Sequence, residues 1–494
     1  MSIRQDQELL SRRVKLAKWW ELGFKFYPAE FKRSHTVQQV RQSVQANEAP
    51  LLTGAPVKGS KFSVAGRLMT LRPHGSLWFA NLQDETGSLQ VALVQQLSSK
   101  QIWELSNNLD RGDIVGVTGH LVKTRRGELT ILANELVPLA KALQILPEKW
   151  HGLKDVEQRL RHRYVDLMMS EEVRELFVKK SLFWQTVRQF LNQAEFMEVD
   201  TPALEAIAGG ADANPFVTHH DALGKDFYLR ISLELPLKRL LVGGFAKVFE
   251  IGKVFRNEGI DTEHLQDYTM CEFYWAYADY NDLMTFTQKL YQTIVQSVTG
   301  GLQTTYDGKQ IDWSGNWPRK DYFEIIKEYS GVDLAEVTDV AELRKILSQH
   351  KIKYEANMGA GRLIDLFWKK MVRPKVIGPL FLVNHPLAVS PLAKRHRSLP
   401  GRVERMQIIA AGSELGNGFS ELNDPQDQKE RFIEQMKLRA GGDNEAMMLD
   451  DDFINALEYG MPPAAGFGFS ERLFSFIMDK PIRETVLFPP MRDN

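Results

Sequence analysis

The most constraining feature of the sequence is a pair of strand-like runs joined by a long polar loop. The runs VFEIGKVFR and YTMCEFYWAY span residues 248–256 and 268–277, and eleven mostly polar residues separate them. This pattern predicts a hairpin whose loop begins beside Arg256. Because successive side chains of a strand point to opposite faces, one face of the second strand carries Tyr268, Met270, Glu272 and Tyr274.

This face combines a carboxylate with two phenols, and Arg256 and His264 flank the loop. Guanidinium groups form paired hydrogen bonds with phosphates, and aromatic rings stack on bases. The hairpin is therefore suited to hold a nucleotide, whereas charges on a solvated strand are the more ordinary interpretation. The sequence has no GxxxxGK[ST] and no strand-linked GxGxxG, so any ATP would be held without those loops.

A different pattern occupies residues 61–139, where five short β-rich runs are separated by the turn signals PHG, DETG and TRRG. Five strands in so short a segment predict a small barrel of the oligonucleotide-binding (OB) type. Trp78 and Phe79 are adjacent on the second strand, so one of them faces outward. An outward ring near Gln90 would form a stacking platform for unpaired bases, although both rings could instead be core residues.

The N-terminal residues 5–24 have helical spacing and end at Gly23. Their predicted apolar face contains Leu9, Leu10, Val14, Ala17 and Trp20. Basic residues lie nearby, so the helix is either a solvated surface helix or an RNA-contacting one.

Composition excludes several classes of protein. The 62 Lys and Arg nearly balance the 63 Asp and Glu, so the total charge gives no signal for nucleic acid. Cys271 is the only cysteine, which excludes an intramolecular disulfide and Cys-rich zinc sites. The sequence has no apolar run of eighteen residues and no secretory signal pattern, so we expect a cytoplasmic protein that does not enter a membrane.

The hairpin segment FRNEGI, then His264, then YTMCEFYWAYADY closely resembles motif 2 of class II lysyl-tRNA synthetases. The resemblance extends over essentially the whole chain and is that of a divergent bacterial-type branch. FMEVDTPALEAIAGGADANPFVTHH resembles the motif 1 region, and LRISLELPLKRLLVGGF, PLFLVNHPLAVSPLAK and SELGNGFSELNDP resemble the amino-acid-site segments. WFANLQDETGSLQ and GELTILANEL resemble the anticodon-binding barrel of that family.

The resemblance implies an α+β protein: an N-terminal OB-type β-barrel plus a class II antiparallel-sheet catalytic domain with helices. Strands and helices after the barrel follow without regular βαβ alternation, which independently favours an antiparallel sheet. We predict an N-terminal basic helical extension at 1–58, the OB-fold anticodon-binding domain at 59–145, a linker at 146–172 and the catalytic domain at 173–494. A helical insertion is expected at about 311–375, and we assign no chemistry to it.

The activity implied is ATP-dependent ligation of L-lysine to tRNA(Lys) through an enzyme-bound lysyl-adenylate, with release of AMP and pyrophosphate. ATP is a substrate, Mg2+ is the implied metal, and a homodimer is the implied assembly. By motif, the implied catalytic residues are Arg256 and Arg472, and the implied ATP-binding residues are Arg256, Glu258, His264, Tyr268, Glu414 and Arg472. The implied lysine-binding residues are Gly210, Glu234, Glu272, Tyr274, Asn417, Phe419 and Glu421; Glu414 is the implied metal ligand, and Phe79, Gln90 and Glu135 are the implied anticodon-binding residues.

In SELGNGFSE, alternation places Asn417, Phe419 and Glu421 on one face of a strand and Glu414 on the other. The implied metal-binding role of Glu414 therefore requires a bulge or bend near Gly416.

The sequence departs from the family pattern at several positions. Gln407 stands where the family usually has a second metal-binding carboxylate, and motif 3, GFGFSERLF, is one residue shorter but keeps Glu471 and Arg472. The other departures are Glu195 for the motif 1 glycine, Leu265 and Gln266 for Asn-Pro, and Pro236 for an aromatic residue, while Pro202 retains the interface proline.

These departures keep three alternatives open. The chain could pass lysyl-adenylate to an acceptor other than tRNA, although the barrel argues against this. It could be a catalytically silent RNA-binding or regulatory module. Its amino acid could also be a modified lysine, because Pro236 could reshape the pocket rim.

Overall fold

The computed structural model of the chain describes residues 3–25, 27–43, 61–147, 155–259, 264–443 and 445–492. The chain divides into two compact units, Met1–Lys154 and Asp155–Asn494. Each unit has a hydrophobic core of its own.

The first unit contains a closed five-stranded barrel. Its elements are α1 (Ile3–Glu21), α2 (Val37–Gln42), β1 (Lys61–His74), β2 (Leu77–Gln83), β3 (Ser88–Val94), α3 (Lys100–Asn107), β4 (Ile114–Lys123) and β5 (Leu129–Ala140). The strands close in the order β1-β2-β3-β5-β4, and only the β3–β5 pairing is parallel. The predicted OB-type barrel is confirmed.

Alternation on β2 explains how the barrel is filled. Trp78, Ala80 and Leu82 are buried, whereas Phe79 between them is only partly buried. Close packing also dictates one residue type: a Cβ at Gly119 on β4 would overlap the backbone carbonyl of Leu132 on β5. Only glycine allows β4 and β5 to approach each other in this way.

Helix α1 is helical as predicted, but the predicted apolar face was wrong. Leu10, Val14 and Trp20 are more than 60% exposed. Trp19 and Leu16 pack against the barrel core instead, and Trp19, which is 1% exposed, donates its indole N–H to the carbonyl of Asn108 at 3.1 Å. A helical period of 3.6 allows neighbouring faces with similar apolar content, and the barrel surface selects between them.

The second unit is built on an eight-stranded sheet, with two smaller sheets. The strands of the whole unit are β6 (Met197–Glu198), β7 (Leu204–Glu205), β8 (Val217–His220), β9 (Lys225–Leu229), β10 (Lys247–Phe255), β11 (Asp267–Ala276), β12 (Gln303–Tyr306), β13 (Lys309–Asp312), β14 (Arg319–Asp321), β15 (Leu380–Val383), β16 (Arg405–Ala410), β17 (Ser413–Ser420) and β18 (Ala464–Ser470), of which β7-β9-β8 and β12-β13 form the two smaller sheets. Its helices are α4 (Val156–Arg161), α5 (Arg163–Met169), α6 (Glu171–Gln193), α7 (Glu234–Val242), α8 (Tyr280–Thr299), α9 (Tyr322–Ser330), α10 (Val340–Gln349), α11 (Ala360–Phe367), α12 (Pro425–Ala440), α13 (Asp451–Glu458) and α14 (Arg472–Ile477).

The sheet has the order β14-β15-β16-β17-β18-β11-β10-β6. The six central strands pair with one another antiparallel, and each of the two edge strands pairs in parallel with the central strand beside it. This confirms the predicted antiparallel sheet. The alternation predicted for β11 is also confirmed, because Cys271 and Phe273 belong to the core cluster that includes residues of α6 and α8.

The predicted linker and insertion have structure of their own. Residues 155–172 include the short helices α4 and α5. Helices α9, α10 and α11 share a hydrophobic cluster with Leu380 and Leu382 of β15 and Ile409 of β16. The four-part division of the chain stays a prediction.

Candidate functional site

A cavity of about 590 Å3 in the second unit collects most of the predicted site residues. Its walls come from the loop after β7, the start of α7, the β10–β11 hairpin, strands β16 to β18 and helix α11. The predicted residues that line it are Gly210, Glu234, Arg256, Glu258, His264, Tyr268, Glu272, Tyr274, Glu414, Asn417, Phe419 and Arg472. Glu421 lies directly behind this wall and is 1% exposed.

Register on the hairpin places the nucleotide-type residues at one end of the cavity. Val254 pairs with Tyr268 across β10 and β11, and Arg256 follows β10 directly. The guanidinium of Arg256 lies 5.7 Å from the centre of the Tyr268 ring, and its Nε donates to the carbonyl of Ile231 at 3.2 Å. Residues 260–263 of the predicted loop lie outside the described residues.

Further along the same face of β11, Glu272 is held by three donors. Ser232 Oγ and the backbone N–H of Leu233 donate to Oε1 at 2.7 and 2.9 Å, and the Tyr274 hydroxyl donates to Oε2 at 2.9 Å. The carboxyl is fully buried, and this burial raises its pKa above the ordinary value despite the donors. The site therefore holds a fixed, desolvated acceptor.

Two more buried carboxyls lie at this end, and a lysine lies between them. Lys238 Nζ is 2.5 Å from Glu234 Oε1 and 2.5 Å from Glu421 Oε2. Burial raises the pKa of Glu234 to about 7 and the pKa of Glu421 well above its usual range. The two adjacent carboxylates raise the pKa of Lys238 although burial acts against them.

The predicted bulge in β17 is confirmed. Ile408 pairs with Gly416 whereas Ile409 pairs with Glu414, so Leu415 is the extra residue. The bulge lets Glu414 line the same cavity as Asn417 and Phe419. Among the described residues, the Glu414 side chain has no hydrogen bond or ion pair, whereas Asn417 Oδ1 accepts from Arg405 Nε at 2.7 Å.

The shortened motif 3 keeps its acid and arginine in place. Glu471 is 1% exposed, accepts from the backbone N–H of Thr269 at 2.8 Å and forms an ion pair with Lys180 of α6. Lys180 also donates to the carbonyl of Thr485 at 2.7 Å. This anchoring fixes the start of α14, where Arg472 lines the cavity.

The predicted anticodon-binding residues divide into two places on the barrel. Phe79 is partly exposed on β2, and Gln90, two positions away in register on the neighbouring β3, accepts a hydrogen bond from Thr130 Oγ1 at 2.8 Å. Glu135 pairs with Thr118 of β4 and forms an exposed ion pair with Lys61 at 2.9 Å. The structure thus brings Phe79 and Gln90 together but not Glu135.

Comparisons with known proteins agree with this architecture. Residues 155–492 match the family model for class II (D, K and N) tRNA synthetases, and residues 62–139 match the OB-fold nucleic acid binding domain. A lysine–tRNA ligase of Carboxydothermus hydrogenoformans is 44% identical over 100% of this chain and 99% of that protein. The chain belongs to the lysine–tRNA ligase family of class II aminoacyl-tRNA synthetases. The lysine–tRNA ligases of Moorella thermoacetica, at 43% identity over 100% of this chain and 99% of that protein, and Thermotoga maritima, at 44% over 95% and 92%, are similar to it as well.

Gln407, a departure from the lysine–tRNA ligase pattern, is engaged by a histidine. Its Oε1 lies 3.1 Å from Nε2 of His385. Burial and the nearby Arg405 lower the pKa of His385 to about 3, so the imidazole is neutral. Gln407 offers only an amide oxygen here, whereas Glu414 offers a carboxyl, and the lack of a side-chain partner for Glu414 in the described part of the chain suits a hard cation such as Mg2+.

Another departure from the lysine–tRNA ligase pattern is strained. Glu195 stands in the left-handed region with φ of 65°, where an L side chain is disfavoured and glycine is not. The backbone conformation at this position therefore explains why motif 1 has a glycine here.

Several cavity residues escaped sequence reasoning. Arg362, Lys369 and Arg373, which line the cavity, belong to the segment predicted as a chemically silent insertion. Arg362 lies 3.5 Å from Asp212 and 3.1 Å from Asp443. The basic run in GRLIDLFWKKMVRPK was their only sequence signal.

Lys238 was also missed, because its glutamate partners became apparent only in the folded chain. No described helix is both long and apolar enough to cross a membrane.

Proposed function

We propose that the chain ligates L-lysine to tRNA(Lys) in two steps through an enzyme-bound lysyl-adenylate. One observation carries this proposal: a single cavity is lined by the buried carboxyls of Glu234 and Glu272, with Glu421 directly behind its wall, and also by Arg256, Arg472 and Tyr268. Carboxylates suit a cationic amino acid, whereas guanidinium groups with an aromatic ring suit a nucleotide. A cavity that contains both groups of residues is suited to join an amino acid to the α-phosphate of ATP.

In the first step a lysine carboxylate oxygen attacks the α-phosphorus of ATP. The new P–O bond forms as the bond to the bridging oxygen breaks, and pyrophosphate leaves. Arg256 would bind the α-phosphate and the lysine carboxylate, and Arg472 would bind the γ-phosphate. These fixed cations stabilise negative charge that develops in the transition state, so the step needs alignment more than a general base.

Other residues would hold the nucleotide and its metal. Tyr268 would stack on adenine, with Glu258 and His264 beside it. Glu414 would hold Mg2+, which when bound supplies positive charge to the phosphate oxygens. The unpartnered Glu414 carboxylate among the described residues supports this role.

Recognition of lysine would rest on the carboxyl end of the cavity. Glu234 and Glu421 would bind the ε-ammonium, and Glu272 and Tyr274 would lie near the α-amino group. Gly210 has a φ of 85°, and a Cβ at this position would lie only 2.9 Å from the side chain of Ser232. The absence of a side chain lets the Gly210 backbone approach the ligand closely. Asn417 and Phe419 would complete the wall.

In the second step a terminal ribose hydroxyl of the tRNA attacks the lysyl carbonyl carbon, its proton is released and AMP leaves. The barrel would bind the anticodon, with Phe79 as a stacking ring and with Gln90 and Glu135 as polar contacts. This activity implies a cytoplasmic enzyme of protein synthesis.

A homodimer is part of this proposal. Val178 and Leu182 on α6 are 69% and 38% exposed, and Pro202 is exposed as well. An apolar surface on a helix of the catalytic unit supports a subunit interface there.

The test is transfer of labelled lysine to total tRNA with ATP and Mg2+, with ornithine, arginine and aspartate in parallel. We expect charging with lysine alone. Lysine-dependent exchange of pyrophosphate into ATP without tRNA charging would favour a different acceptor. Absence of both reactions from a folded chain would contradict the proposal and favour a silent RNA-binding module.

A further inference from the structure

A buried lysine lies behind the wall at the carboxyl end of the cavity. Lys238 is 0% exposed on α7, one helical turn after Glu234. Its Nζ lies 2.5 Å from a carboxylate oxygen of Glu234 and 2.5 Å from one of Glu421. Neither glutamate is therefore available to a ligand through both of its oxygens.

Aromatic rings fix the position of this ammonium on its other sides. Nζ lies 5.3 Å from the centre of the Phe419 ring and 5.9 Å from that of Phe453. Such rings attract a cation and exclude water from it. The surrounding residues Leu235, Leu237 and Leu241 are buried and apolar, so Lys238 cannot turn out to solvent without unpacking α7.

One carboxylate oxygen remains unused beside the cavity. Among the described residues, neither oxygen of the buried Glu421 carboxyl has a hydrogen-bond partner, and Oε1 also lacks the ion pair that Oε2 forms with Lys238. It lies next to Gly466, which lines the cavity. A buried carboxylate oxygen without a donor is costly unless a ligand supplies one.

We propose that Lys238 is a positioning residue that sets amino-acid specificity: its ammonium lies between Glu234 and Glu421, favours the ionised form of both carboxyls against the effect of burial, and leaves Oε1 of Glu421 for a ligand ammonium. When ligand ammonium groups bind and all three carboxyls ionise, Glu234, Glu272 and Glu421 together with Lys238 carry two net negative charges, which match the two ammonium groups of an α,ω-diamino acid. This inference rests on the proposed function.

The physical reason lies in the cost of two adjacent buried carboxylates. Without a cation between them they repel each other, and one takes up a proton. A protonated carboxyl has no negative charge to attract an ammonium, and it can donate a hydrogen bond to a neutral hydroxyl. Such a site would therefore no longer favour an ammonium over a hydroxyl. Lys238 thus prevents the site from accepting neutral ligands of the same length as lysine.

The experiment measures binding of L-lysine and of 6-hydroxynorleucine, which has a hydroxyl in place of the ε-ammonium, by titration calorimetry on the full chain. Lys238→Met keeps the length and apolar contacts of the side chain. We expect it to reduce the preference for lysine at least about tenfold, since an unpaired buried carboxylate is strongly disfavoured. Affinity for ATP should remain within about twofold, because the nucleotide residues lie at the other end of the cavity.

Compensation separates this role from simple structural support. Glu234→Gln alone should also reduce the preference for lysine, because the Lys238 ammonium is then paired with the Glu421 carboxylate alone and neutralises its charge. The double variant Lys238→Met with Glu234→Gln restores the charge balance, so its loss should be smaller than the product of the two single losses. Lys238→Arg, which retains the charge, should keep more of the preference than Lys238→Met.

An unchanged preference in Lys238→Met would overturn the inference, as would independent losses in the double variant. If Lys238→Met does not fold, an unchanged preference in the folded Glu234→Gln variant overturns it equally. Failure of the proposed function is a distinct result, because the unsubstituted chain would then bind no lysine at all.

Discussion

Gly466 controls access to the amino-acid end of the cavity. A Cβ at this position would overlap Glu421 Oε1 and the ring of Tyr274. Both neighbours are buried and held by other contacts, so neither can move aside cheaply.

We expect Gly466→Ala to weaken lysine binding about ten- to a hundredfold, since overpacking of this kind costs roughly 1 to 3 kcal/mol. Affinity for ATP should change little. The measurement is calorimetric titration with each ligand, and Gly301→Ala is the matched control because a Cβ there meets no atom within 4 Å. Equal losses for lysine and ATP would contradict the local role of Gly466.

Glu205, on β7, makes stability depend on pH. Its Oε2 is buried without a hydrogen-bond partner among the described residues, and burial raises its pKa from 4.5 to about 8. The folded chain therefore holds this proton more tightly than the unfolded chain does. As pH rises from about 4.5 to about 8, the carboxyl ionises in the unfolded state first, and the free energy of unfolding falls.

Glu205→Gln should remove this fall. Near pH 8 we expect the variant to exceed the unsubstituted chain in stability by on the order of 1 to 3 kcal/mol, and near pH 5 the difference should be much smaller. Thermal unfolding followed across this pH range checks the prediction. A constant difference at every pH would mean that the ionisation of Glu205 is not the cause.

At the scale of elements, helix α8 supports the bulge in β17. The hydroxyl of Tyr291, which is fully buried, donates to the carbonyl of Leu415 at 2.8 Å. Leu415 is the extra residue that turns Glu414 into the cavity. The helix thus acts on the site indirectly, through a hydrogen bond from Tyr291 to the backbone of β17 rather than through a side chain in the cavity.

Tyr291→Phe leaves that carbonyl without its donor, which costs about 1 to 3 kcal/mol of stability. We expect kcat for adenylate formation to fall and the Mg2+ concentration for half-maximal rate to rise, because Glu414 loses its fixed position. KM for lysine should change less, since Glu421 follows the far end of the strand. Tyr459→Phe is the control, as Tyr459 is 82% exposed; equal effects of both changes would contradict the assigned support.

Elements also show what sequence could and could not predict. The faces of β11 followed from alternation, which depends on neighbours in sequence. The bulge near Gly416 followed from alternation together with the metal-binding role that the family resemblance implies for Glu414. The position of Lys238 depends on α7 packing against the residue that follows β17, which no local pattern encodes. The buried face of α1 was misassigned for the same reason: the barrel, not the helix period, selects Trp19 over Trp20.

At the scale of the whole molecule, the two units have separable tasks in the proposed function. Phe79 belongs to the first unit and the cavity to the second. We expect Phe79→Ala to leave lysine-dependent pyrophosphate exchange intact and to reduce tRNA charging roughly ten- to a hundredfold, because one base stack contributes about 1 to 3 kcal/mol. Phe79→Tyr, which keeps the ring, should retain most charging. Parallel losses in both reactions would instead indicate a folding defect.

The main sheet ends in its two shortest strands, β6 with two residues and β14 with three. A long free edge would offer a row of backbone donors and acceptors to a strand of another molecule, which is a common route to aggregation. The barrel closes on itself and has no such edge. Neither of these two sheets therefore offers a long free edge to another molecule, so self-association through either of them would use side-chain surfaces, which can be matched and limited to a fixed number of copies.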